Sequence, residues 1–141
     1  MSMNAIQVIT RDHRAIEEAY EDYRNAVDED EKAAAASRIL AMLDAHIRME
    51  ETYFHPAIQK QGKIEEGLVG EAEDELADMK SLLSVARVAE AEEEMDVAIE
   101  DLMREVSIHA DEEVDVVLQA EKALSERELE ELGKKMEPHS A

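Results

Sequence analysis

Apolar residues return at steps of three and four along most of this 141-residue chain, and nothing alternates with period two for long. That spacing admits one kind of element: at 3.6 residues per turn, positions three, four and seven apart share a helix face. A first helix is predicted over residues 4–27, with Ile6, Ile9, His13, Ile16, Tyr20, Tyr23 and Val27 on one stripe. A second, over residues 31–60, carries Ile39, Leu43, His46, Glu50, Tyr53 and Ala57, flanked by Leu40, Ile47 and Phe54. A third, over residues 64–89, is anchored by Leu68, Ala72, Leu76, Met79, Leu82, Leu83 and Ala86. The fourth runs to residue 124 with Ile99, Leu102, Val106, His109, Glu113, Val116 and Ala120 in line.

Acidic runs at residues 28–31 and 90–94 separate these segments, where negative charge suits a helix N-terminus. Ser125 and Glu128 form a capping box that opens a short fifth helix, about 126–136, before a frayed tail. With only 4 Gly and 2 Pro, no flexible linker divides the chain. The expected architecture is all-α: one domain, an antiparallel up-down-up-down four-helix bundle over about residues 4–124, with a short C-terminal helix.

A formal net charge of −22 argues against nucleic acid or an anionic membrane as partner, since both are polyanions. Cysteine is absent, which excludes a disulfide framework, a thiolate metal site and a cysteine nucleophile. No apolar run reaches membrane-spanning length, and the first residues lack the basic-then-apolar order of a signal peptide. A cytoplasmic protein, monomer or homodimer, is the expectation.

Three of the five histidines, His13, His46 and His109, lie on the apolar stripes of three different helices. Glu50 follows His46 by four residues and Glu113 follows His109 by four, so each pair shares a face and points inward. Burying ionised carboxylates without partners costs several kcal/mol each, comparable with the stability of a small domain. A bound cation compensates, because it neutralises carboxylate and uses the imidazole lone pair. One histidine on an apolar stripe is usually a hydrogen-bonded core residue. Two His-x-x-x-Glu pairs in separate seams are another matter.

The chain also reads as two similar hairpins: His13 then His46-x-x-x-Glu50, and Glu75 then His109-x-x-x-Glu113. Glu75 sits at the edge of its stripe and is read both as a ligand and as a solvated acid. Tyr53, three residues after Glu50, is read as core packing, a phenolate ligand or a hydrogen-bond donor. Tyr20 is read as packing, Glu17 as a reserve ligand, and His55 and His139 as surface residues.

These residues resemble the hemerythrin family in its two-hairpin form. Asp12-His13 is similar to the family's opening motif, His46-x-x-x-Glu50-Glu51 with Pro56 to its second helix, and His109-x-x-x-Glu113 to its fourth. The resemblance implies an oxo- or hydroxo-bridged non-haem diiron centre, with Glu50 and Glu113 bridging two iron ions. It further implies His13 and His46 as terminal ligands on one iron and His109 on the other. The third helix departs from the pattern: where relatives offer histidine, this chain has Glu75 and Met79.

The function so implied is binding or reduction of a small oxidant: dioxygen, hydrogen peroxide or nitric oxide. A non-enzymatic oxygen, iron or redox sensor, or an oxygen-binding module, is the alternative, and a metal-free structural bundle is a third. A ferritin-like diiron oxidase would place Glu three residues before the histidines. Those positions are Thr10, Leu43 and Val106.

Overall fold

The computed structural model describes residues 3–62 and 66–140, with Glu66 described by its backbone alone. Helix α1 spans Ala5–Asn25, opened by a capping box in which Asn4 and Gln7 each bond the other's backbone N–H at 2.9 Å. Helix α2 spans Glu29–Met49 and is capped by the Asp28 carboxylate, which accepts from the Glu31 N–H at 2.8 Å. A π-helical turn, Glu50–Phe54, leads without a break into α3, His55–Gln61. That helix ends at Gly62, whose φ of 63° is the left-handed conformation glycine adopts without strain.

Helix α4 spans Glu66–Arg87, α5 Glu92–Ala123 and α6 Glu126–Met136. The expected Ser125–Glu128 capping box forms, with both of its hydrogen bonds present. A final 3-10 turn covers Glu137–His139. The expected start of the third helix at Ile64 lies outside the described residues.

Helices α1 and α2 form one antiparallel hairpin and α4 and α5 the other; α2 also meets α4, and α6 lies along α1. Buried apolar side chains fall into two clusters. One holds Ile16, Ile39, Leu43, Leu76, Met79 and Leu102. The other holds Val8, Phe54, Ile58, Ala72, Val116 and Leu129. The polar seam residues lie between these clusters along every helix that carries them, so the site is a polar layer sealed by apolar layers on both sides.

Near the end of the bundle, Tyr23 donates its hydroxyl proton to Asp96, and Lys32 pairs with Asp96 at 2.8 Å and Glu92 at 3.1 Å. Burial, then the Asp96 carboxylate, pushes the Tyr23 phenol well above its usual range. At the other end Gly133 of α6 meets the N-terminal backbone so closely that a Cβ would stand 2.1 Å from the Met3 carbonyl oxygen.

Four expectations need correction. Helix α1 stops at Asn25, and Val27 is 84% exposed instead of continuing the stripe, because the chain turns extended at Ala26. The second helix is not regular to residue 60: the π turn adds one residue, which shifts the buried face from Tyr53 and Ala57 to Phe54 and Ile58. The same shift carries His55 inward, to 1% exposure. The tail is not frayed through its described residues, since Arg11 bonds Ser140 and pairs with Glu137 at 3.6 Å.

Candidate metal centre

The centre is built where the apolar stripe of each helix is interrupted. His13 comes from the middle of α1, His46 from the last turn of α2, Glu50 from the first residue of the π turn, and His109 and Glu113 from α5. Each of these five offers a ligand atom, and the five atoms lie within 4.8 Å of one another. Four of the residues are at most 3% exposed; the His13 side chain retains 19%.

The contacts have a definite order. Glu50 places Oε1 3.3 Å from His46 Nε2 and Oε2 3.2 Å from His109 Nε2. Glu113 places Oε1 3.2 Å from His13 Nε2 and Oε2 2.9 Å from His109 Nε2. His13 and His46 bring their Nε2 atoms to 3.2 Å. Each carboxylate thus stands between His109 on one side and a histidine of the first hairpin on the other.

The carboxylate approaches are not ordinary hydrogen bonds. Both oxygens of Glu50, both oxygens of Glu113 and both ring nitrogens of His109 are buried without a hydrogen-bond partner of acceptable geometry. Buried polar atoms are almost always satisfied, and a cluster of orphans calls for a cause. Five of these orphaned atoms, the four carboxylate oxygens and His109 Nε2, face one small space and fit a bound cation, and imidazole with carboxylate is a donor set suited to iron and other first-row divalent metals.

The electrostatics agree. Burial alone would push the His46 imidazolium down, but Glu50, the Asp12 hydrogen bond and Glu113 outweigh it and raise it to about 10. His109 is likewise lowered by burial and raised more strongly by Glu50 and Glu113, again to about 10. Burial pushes the Glu50 carboxyl up, yet His46, Glu113 and His109 hold it well below its usual range. The pocket is a negative field in a largely buried interior, and it favours positive charge whether carried by protons or by metal.

Asp12 belongs to the quoted motif, but its spacing alone gave it no role. It is fully buried and accepts the His46 Nδ1–H at 2.9 Å. That bond fixes the tautomer of His46 and leaves the Nε2 lone pair facing the cluster. The signal was present, because Asp12 stands three residues after Ile9 and four before Ile16, on the stripe itself.

The remaining candidates lie elsewhere. Glu75 is outside the five-residue group, with Oε1 3.6 Å from His109 Nδ1, the nitrogen on the far side of the ring from the cluster. Tyr53 is half-buried and stacks on His139, with ring centroids 5.3 Å apart. Glu17 is exposed. Tyr20 packs partly buried against the first apolar cluster, under the Arg24 guanidinium. No described helix is long and apolar enough to cross a membrane.

Neither the curated proteins nor the solved structures returned a significant match to the chain. A family profile did: residues 4–121 match the hemerythrin HHE cation-binding domain. That match runs from the start of α1 to within two residues of the end of α5 and includes every residue of the His/Glu cluster, so the chain belongs to the hemerythrin HHE cation-binding family.

Proposed function

We propose that this protein holds two iron ions in the His/Glu cluster and uses them to bind or reduce a small oxidant: dioxygen, hydrogen peroxide or nitric oxide. The observation that carries the reading is the placement of Glu50 and Glu113. Each offers one oxygen toward the histidines of the first hairpin and the other toward His109, as a bridging carboxylate does. His13 and His46 would then serve one ion, and His109 the other. Iron, when bound, supplies redox equivalents and Lewis acidity.

The chain's own residues do the rest. Asp12 holds His46 in the tautomer that presents Nε2. Glu50 and Glu113 neutralise cationic charge inside a layer closed off by Ile16, Leu43, Ile47, Leu76 and Leu102 on one side. The partial exposure of His13, the greatest among the five, supports an approach of a small molecule from its side.

Metal analysis with visible spectra of the anaerobically reduced and reoxidised protein tests the reading. Two iron ions per chain and a spectrum that changes on air oxidation are expected. At iron concentrations 100 times the dissociation constant, each ion adds about 2.7 kcal/mol of stability, so a chelator should lower the melting midpoint markedly. Equal midpoints with and without chelator, and no iron in the purified protein, overturn the proposal.

A further inference from the structure

Thirty-four residues separate Asp12 from His46, and thirty-four separate Glu75 from His109. The two pairs are alike in space as well. Asp12 accepts a hydrogen bond from His46 Nδ1 at 2.9 Å, and Glu75 brings Oε1 to 3.6 Å from His109 Nδ1. The second gap is slightly longer than a hydrogen bond. Yet His109 Nδ1 and Glu75 Oε2 are both buried and both without a hydrogen-bond partner. A buried N–H and a buried carboxylate so placed satisfy one another with a small rotation of the Glu75 side chain.

This register changes which residues correspond between the hairpins. If Glu75 repeats Asp12, then Leu76 repeats His13, since each follows by one residue and each precedes its histidine by thirty-three. Leu76 is 1% exposed and sits in the apolar cluster. The second hairpin therefore has the orienting carboxylate, the imidazole and the carboxylate four residues on. What it lacks is the leading imidazole.

We propose that Glu75 is a positioning residue that orients His109, and that the ion beside His109 consequently has three protein ligands where its neighbour has four. The four are His13 Nε2, His46 Nε2, Glu50 Oε1 and Glu113 Oε1; the three are His109 Nε2, Glu50 Oε2 and Glu113 Oε2. The two ions bind unequally, the second more weakly. This inference rests on the two-ion reading of the centre.

Anaerobic calorimetric titration of the metal-free protein with ferrous iron tests it, with circular dichroism as the check on folding. The unaltered protein should take up one ion tightly and a second at least about tenfold more weakly. Glu75→Ala should weaken the second step by roughly 10–100-fold and leave the first alone. Glu75→Gln should restore the second step to within about threefold, because its amide oxygen accepts the same N–H. Leu76→His should tighten the second step toward the first; if that variant does not fold, the two Glu75 variants decide the matter. A second step lost as fully in Glu75→Gln as in Glu75→Ala makes Glu75 a ligand and overturns the proposal. Two ions of equal affinity, or no change in either Glu75 variant, overturns it while the two-ion reading stands. Fewer than two ions in the unaltered protein overturns both.

Discussion

The two hairpins that build this bundle make unequal contributions to its centre. The first, α1 with α2, supplies Asp12, His13, His46 and Glu50, and its histidine–carboxylate link is a closed hydrogen bond of 2.9 Å. The second, α4 with α5, supplies Glu75, His109 and Glu113, and the equivalent approach is an open 3.6 Å. The first hairpin is also braced from outside, because α6 packs on α1 and on the π turn that begins with Glu50. The two halves share a register, but the first has a histidine thirty-three residues before its second imidazole where the other has Leu76. Equivalent backbone positions do not guarantee equivalent chemistry.

The strongest way to break that comparison is to remove what both halves share. Glu50 faces His46 and His109 together, so Glu50→Ala leaves two buried imidazoles facing a lost counter-charge. Deleting one partner of a buried ion pair costs about 3–5 kcal/mol. Urea unfolding of the metal-free variant should show a loss of that size, and the variant should bind both ions more weakly, since each loses one carboxylate oxygen. His109→Ala should keep the ion held by His13 and His46. Loss of both ions in His109→Ala would erase the distinction between the halves.

A second test is pH, which acts on both hairpins alike. His46 and His109 are raised from 6.5 to about 10 in the folded protein. A group whose folded pKa is raised contributes stability that is complete below its unfolded value and lost as pH climbs through the folded one. The metal-free protein should therefore weaken from about pH 6.5 to 10. Glu50, held below its ordinary 4.5, works in the opposite direction, and its contribution disappears as the solution is made strongly acid. Iron binding must displace the imidazolium protons, so affinity should rise over the same interval in which the metal-free protein weakens. Denaturant midpoints at pH 6, 8 and 10, with and without iron, check both signs. Parallel curves for the two forms would mean that the imidazoles are not ligands.

The smallest effect concerns the π turn. Tyr53 stacks on His139 outside the cluster, so Tyr53→Phe should leave the visible spectrum and the iron content unchanged. A shifted absorption band in this variant would place the phenol on an ion and make the first hairpin richer still.

Much of this was legible in the chain. The stripe of α5 is buried at every residue read from its spacing, from Ile99 to Ala120, because a regular helix preserves its period. The histidines and the carboxylates four residues after two of them were visible for the same reason. One failure lies where the period breaks: His55, expected at the surface, is buried because one extra residue enters at the π turn. Hydrophobic spacing carries no mark of that insertion.

The chain by itself determined that there would be long amphipathic helices, that their shared face would carry three histidines and two carboxylates, and that positive charge would be needed among them. Local spacing is enough for each of these, since it depends only on helix geometry and on the cost of burying charge. Tertiary structure decided the rest. Periodicity assigns a residue to a face, but which nitrogen of an imidazole looks inward depends on what packs behind it. Asp12 stands behind His46, and Glu75 lies behind His109, outside the five-residue group. Only side chains from different helices brought to within a few ångströms create that arrangement.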